Sequence, residues 1–205
     1  IILSGDDAQL EPINDTHHGQ KVPPLLGSDL LYCLAPIRLE LNVCKRSDTG
    51  LHDFGLLCRS GSFDECLCQA RAVFDCKREP DIWLTVDNAR RQQINEYVNR
   101  ALAGEPATKL EAVDGTILLY EGANLIGTKT VYGVTNAIWY TVTKVADHLH
   151  LLSERGEEVF MTMEQAAKCV TLRHAMTIHK SQSRTLQGHV RICTGSRPGH
   201  VSPFF

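Results

Sequence analysis

Ala175-Met176-Thr177-Ile178-His179-Lys180-Ser181-Gln182-Ser183-Arg184-Thr185-Leu186 is the stretch on which the fold turns. An apolar lead through Val170, Leu172, Ala175 and Ile178 runs into a dense polar patch, then returns to apolar at Leu186 and Val190. That order predicts a buried strand feeding a loop and then a helix. The patch gathers an imidazole, an ammonium, hydroxyls, an amide and a guanidinium. Such groups bind phosphate oxygens or orient other polar groups, and they pack poorly into a core.

At the start of the sequence, Ile1-Ile2-Leu3-Ser4-Gly5-Asp6-Asp7-Ala8-Gln9-Leu10-Glu11-Pro12-Ile13 begins as an apolar strand and breaks at Gly5-Asp6. In an open α/β sheet, functional groups collect in loops just beyond the carboxyl ends of strands. An ordinary strand closed by an Asx-turn is the structural alternative. The two stretches together resemble superfamily 1 helicases of the RecD-like and Pif-like branch. The later one is similar to their motif V, T-I-H-K-S-Q-G-x-T, with Ser183 in place of the glycine. The earlier one is similar to motif III, G-D-x-x-Q-L-x-P-[VI].

The resemblance implies an α/β fold: a RecA-like, P-loop-type domain carrying a small SH3-like β-barrel insertion. It implies that residues 1–36 end a first RecA-like domain and that 37–119 open a second. Residues 120–169 would form the insertion, and 170–205 would resume the second domain. Asp6 and Gln9 would approach the nucleotide, with Gln9 at the γ-phosphate. Thr177, His179, Lys180, Ser181 and Gln182 would face the DNA strand.

Between these stretches, Pro23 to Tyr32 reads as a loop and a short helix capped by Ser28 or Asp29. Ile37, Leu39 and Leu41 alternate with polar residues as a short strand would. Asn42-Val43-Cys44-Lys45-Arg46-Ser47-Asp48 then resembles motif IV, which assigns a phosphate-sensing role to Arg46, or to Lys45 if the register slips by one. An exposed basic residue at a strand end is the alternative. Leu51, Phe54, Leu57 and Cys58 fall at helical spacing, and Arg59-Ser60-Gly61 closes that helix.

Ile82-Trp83-Leu84 predicts another strand, with Thr85-Val86-Asp87-Asn88 as its polar exit. The helix that follows has Ala89, Gln93, Tyr97 and Ala101 on one face, with Ile94 and Val98 on the adjacent one. The resemblance makes Thr85 and Asn88 contacts to a single-stranded DNA backbone at a helix start, assisted by Arg90 and Arg91. Asn88 or Asp87 acting only as an N-cap is the alternative.

From Asp114 to about Val170 the pattern is β. Ile117–Tyr120, Ala123–Ile126, Trp139–Val142, His148–Leu152 and Glu158–Met161 are short runs broken by turns at Gly122, Gly133 and Gly156. Closely spaced short strands predict a small barrel. Tyr132-Gly133-Val134-Thr135-Asn136 matches the family's turn at the insertion, with Ala137 replacing its second glycine. Tyr132, Trp139 and Tyr140 are candidates for base stacking or for barrel filling.

Composition bounds the rest. The 205 residues are 43% hydrophobic and 22% charged, as in a globular protein. A formal charge of −3 supplies no global basic field, so nucleic acid must be held by a local track. No apolar run is long enough to cross a membrane. The eight cysteines lack C-x-x-C pairs, and no stretch of these residues resembles a secretory signal. They are expected to be reduced and largely buried, in an intracellular compartment such as nucleus or cytoplasm.

No G-x-x-x-x-G-K-[ST] and no strand ending in Asp-Glu occurs, and the family's arginine-finger motif is missing as well. The expectation is a portion of an ATP-dependent, 5′→3′ DNA helicase. It would use ATP and Mg²⁺ only with the remainder of the helicase chain, including its first RecA-like domain, and would bind single-stranded DNA. A catalytically inactive helicase-like module that docks nucleic acid or protein is the alternative.

Overall fold

The computed structural model describes residues 16–17, 20–21, 29–37, 39, 45, 47–74, 78–105, 107–182 and 184–193. The chain divides into two compact units, Ile1–Asp75 and Cys76–Phe205. In the first, β1 (Thr16–His17) and β2 (Gln20–Lys21) pair antiparallel. Three helices follow: α1 (Asp29–Leu34), α2 (Thr49–Ser60) and α3 (Phe63–Phe74).

Local chemistry sets these helix ends. The Asp48 carboxylate accepts from Leu51 N at 2.8 Å, and Gly61 N donates to Leu57 O at 2.7 Å. Ser62 and Glu65 form a capping box: Glu65 Oε2 accepts from Ser62 N at 2.8 Å, and Ser62 Oγ accepts from Glu65 N at 3.3 Å. The backbone N–H of Ser62 holds the Glu65 carboxyl below its usual range. Phe54 meets Phe74 edge to face at 5.1 Å, and Cys66 is buried between the helices.

Two expectations fail here. Ile37 and Leu39 lie in no strand and are 84% and 89% exposed; Leu41 lies outside the described residues. Cys66 and Cys169 are buried, but Cys33, Cys58 and Cys68 are exposed. Cys58 nonetheless reaches across from α2 to Cys66 of α3, and burial followed by that neighbouring thiol pushes its pKa up.

Among the described residues the second unit holds two larger sheets and a separate two-stranded hairpin. β3 (Ile82–Thr85) lies at the centre of a parallel sheet between β11 (Ala175–Thr177) and β12 (Val190–Cys193). Its core is Ile82, Leu84 and Met176, packed by Trp139, Ile178, Leu186 and Ile192. α4 (Asn88–Leu102) leaves β3 and packs back on the sheet. Its N-cap is Asp87, whose carboxylate accepts from Arg90 N at 2.7 Å.

The buried face of α4 is largely polar: Arg91, Asn95 and Asn99 beside Ile94. Each asparagine pins a backbone. Asn95 Oδ1 accepts from Ala175 N at 2.7 Å, while its Nδ2 donates to Ala175 O at 3.2 Å and Leu172 O at 3.4 Å. Asn99 exchanges two hydrogen bonds with Leu118, at 2.8 and 3.0 Å.

β4 (Thr108–Ala112) and β5 (Gly115–Leu119) form a hairpin. β6 (Asn124–Gly127), β7 (Trp139–Val145), β8 (His148–Ser153), β9 (Glu158–Thr162) and β10 (Val170–Leu172) form an antiparallel sheet in the order β10-β6-β7-β8-β9. α5 (Met163–Cys169), opened by a Thr162–Gln165 capping box, joins β9 to β10.

The sheet is open, so the expected small barrel does not close. α5 carries the chain from the β9 edge to the β10 edge without bringing the two edges into register. Leu110, Ile117 and Leu119 of the hairpin share one core with Leu125, Tyr140, Leu149, Leu151 and Met161. Tyr140 is therefore a filler, 2% exposed, its hydroxyl accepting from Thr135 N at 2.9 Å. Tyr132 and Gly133 turn the chain with φ of 55° and 82°, and Ala137 also adopts the left-handed region, at 65°.

Candidate nucleic-acid interface

β3 and β11 run side by side in the same direction, and their last residues, Thr85 and Thr177, are register partners. Each strand then enters a helix: α4 after β3, and α6 (Ile178–Ser181) directly after β11. Two helix starts therefore lie at one carboxyl edge. The expected loop between strand and helix is absent, because Thr177 is itself the N-cap, its hydroxyl accepting from Lys180 N at 3.3 Å.

This edge brings together Thr85, Asn88, Arg90, Thr177, His179, Lys180, Ser181 and Gln182, in unequal states. Thr85 is wholly buried; its hydroxyl donates to Asp87 O at 3.0 Å, with Met176 O at 3.4 Å. A hydroxyl turned inward onto two carbonyls braces this edge. Ser181 Oγ likewise donates to Ile178 O at 2.8 Å, and Gln182 N to His179 O at 3.3 Å. His179 and Asn88 are exposed.

The charged groups sort in the same way. Arg91, 8% exposed, donates to Asn88 Oδ1 at 3.1 Å and pairs with Asp114 at 3.2 Å, so it serves the structure. Lys180 is half-buried, and its pKa is lowered first by burial and then by the Arg91 charge, with Asp114 opposing. Arg90 Nη1 donates to Gln93 at 3.3 Å. The guanidinium also lies beside Cys193, whose thiol burial pushes up and Arg90 pulls back. Asp6, Gln9 and Arg46 lie outside the described residues; Lys45 is exposed.

Pattern reasoning passed over a second constellation. The Arg173 and Arg184 guanidiniums stand 4.3 and 4.9 Å from the centroid of the Trp139 ring, and Arg184 pairs with Glu154 at 3.7 Å. Arg184 occupies the variable position of the T-I-H-K-S-Q-G-x-T pattern, so the motif carried no signal for it. Trp139 is neither a barrel filler nor an exposed platform: it packs against the parallel-sheet core.

No protein-family model and no curated protein matches the chain. Solved structures do. A structure of two coordinating Pif1 helicases at forked double-stranded DNA aligns with a TM-score of 0.57 at 17% identity, over 73% of this chain and 41% of that one. Bacteroides Pif1 bound to single-stranded DNA aligns with a TM-score of 0.53 at 14% identity, over 73% and 44%. Bacteroides Pif1 with ADP-AlF3 and single-stranded DNA aligns with a TM-score of 0.54 at 12% identity, over 84% and 53%. The chain thus spans about half the length of these proteins or less, and at such identities it is similar to part of a Pif1 helicase in fold.

Proposed function

We propose that this chain is part of an ATP-dependent DNA helicase of the RecD/Pif-like branch, moving 5′→3′, and that the carboxyl edge of its parallel sheet contacts single-stranded DNA. One observation carries the reading. The residues that resemble motif V and those of the T-x-x-N exit, distant in sequence, end on paired strands at one edge, with Thr85 opposite Thr177. His179, Asn88, Lys180 and Arg90 are the contacts, and Thr85 and Thr177 shape the edge beneath them.

In this reading the parallel sheet and α4 belong to the second RecA-like domain, and the antiparallel sheet takes the place of the SH3-like insertion. The reading extends the insertion beyond 120–169 to take in the β4–β5 hairpin and β10, because their residues share one core with it. ATP and Mg²⁺ would be bound with the first RecA-like domain. Asp6, Gln9 and Arg46 are this chain's proposed contribution, and no phosphate loop is present in its sequence. The 205-residue chain alone should therefore release no phosphate from ATP. Among the described residues no helix is long and apolar enough to cross a membrane.

Fluorescence anisotropy with labelled oligothymidylate at several salt concentrations tests the contact. With about two or three phosphates neutralised, log K against log[salt] should slope by roughly −1.4 to −2.1, and Lys180→Ala should flatten it by about 0.7. An unchanged slope in both Lys180→Ala and Arg90→Ala removes these residues from the interface.

A further inference from the structure

α6 has only four residues, too few to hold its own shape, so contacts at its two ends decide where His179 and Lys180 stand. The front end is fixed by the Thr177 cap. Behind it, Arg184 N donates to Ser181 O at 3.0 Å, tying Arg184 to the last residue of the helix. The Arg184 side chain, 17% exposed, reaches the antiparallel sheet, where it meets the Trp139 ring and Glu154.

That receiving surface is itself braced. Trp139 N donates to Glu154 Oε1 at 3.3 Å, and Glu154 N donates to Trp139 O at 2.9 Å. Arg173 covers the Trp139 ring as well and is anchored to Asn124 Oδ1 at 2.6 Å. Two guanidiniums on one ring repel each other, and the Glu154 carboxylate offsets that repulsion. Among the described residues the buried Trp139 indole N–H finds no hydrogen-bond partner. An orphaned donor is unfavourable, so packing and the two cations hold the ring in place. Ile178 of α6 and Trp139 pack against the same core of Ile82, Leu84 and Met176.

We propose that Arg184 is a positioning residue for the strand-binding edge, acting through a clasp with Trp139 and Glu154 that couples α6 to the antiparallel sheet. The inference rests on the strand-binding reading above. Arg184 does not touch the strand. It fixes the segment that carries His179 and Lys180, and strand binding at α6 is felt at the Trp139 ring.

The test uses the full chain with Trp83→Phe, leaving Trp139 as the only tryptophan. Oligothymidylate anisotropy, Trp139 emission and a melting curve are measured for the parent, Arg184→Met, Arg184→Lys and Glu154→Gln. The clasp predicts that Arg184→Met and Glu154→Gln both weaken binding, about three- to tenfold, with the salt slope unchanged. Arg184→Lys, which keeps the charge over the ring, should recover most of the affinity. Oligothymidylate should shift Trp139 emission in the parent and not in Arg184→Met.

Glu154→Gln separates the mechanisms by sign. If Arg184 contacts phosphate directly, removing its carboxylate partner frees it and tightens binding, while Arg184→Met flattens the slope by about 0.7; that pair of results overturns the clasp. Affinity unchanged in every variant while melting falls overturns it too, leaving a merely structural contact. A parent chain that binds no oligothymidylate defeats the strand-binding reading itself, whereas a binding parent with unmoved variants defeats the clasp alone.

Discussion

Replacing Asn95 with alanine should destabilise the second unit more than any exposed substitution on the same helix. Asn95 is 4% exposed, and its amide completes the backbone of Ala175, where β11 begins. Alanine removes the 2.7 and 3.2 Å bonds and the longer one to Leu172 O, leaving a buried N–H and a buried carbonyl without acceptor or donor. At about 1 kcal/mol net per bond, and with about 0.6 kcal/mol regained from alanine's helix propensity, the loss is roughly 2–3 kcal/mol. For a chain of this size that lowers the melting midpoint by roughly 5–10 °C. Urea denaturation monitored by circular dichroism measures it, with Gln93→Ala as the exposed control, expected within about 0.5 kcal/mol of the parent. An Asn95→Ala chain as stable as the Gln93→Ala chain would refute the claim that this amide stitches α4 to the strand leading into the site.

Other outcomes follow from single residues. Ala137→Gly should stabilise the chain by about 0.5–1 kcal/mol, because glycine adopts a φ of 65° without the Cβ clash that alanine suffers; a lower melting midpoint contradicts this. Burial, and then the neighbouring Arg173 charge, push the pKa of His174 down to about 4. Its neutral form is therefore the folded one. Stability from this group is complete above the unfolded value near 6.5 and drains away as pH falls from there to about 4. The integrated loss is about 3 kcal/mol. Urea titrations at several pH values should show a loss over that window that His174→Gln lacks. Asp114→Asn leaves the 8% exposed Arg91 without its counter-ion and should destabilise by about 1–3 kcal/mol, read by the same denaturation.

Much of the local structure was legible because periodicity and punctuation are local properties. β9 alternates exposed and buried without a break, α2 stops at Gly61, and the Thr85–Asn88 exit does lead into a helix. What the sequence hid was partnership. Leu172 and Ala175 are separated by two residues, yet one ends a strand of the antiparallel sheet and the other begins a strand of the parallel sheet. No apolar pattern marks that handover; Asn95, a polar residue on a helix, enforces it. Thr85 looked like a surface hydroxyl because threonine at a strand exit usually is one. Its burial follows from β11 and β12 flanking β3 on both sides, which only the sheet order reveals. The helix face of α4 was obscure for a similar reason, since Arg91, Asn95 and Asn99 are buried beside Ile94 while Tyr97 is 74% exposed.

Hydrogen–deuterium exchange with and without oligothymidylate locates the interface most directly. Protection should appear at the carboxyl edge, in residues 86–91 and 177–184, with a weaker change around Trp139. The opposite end of the same sheet, where Asp81 accepts from His189 N at 2.8 Å, should exchange as before. Protection centred on 78–81 and 188–190, or none at either edge under conditions where anisotropy reports binding, would contradict the assignment.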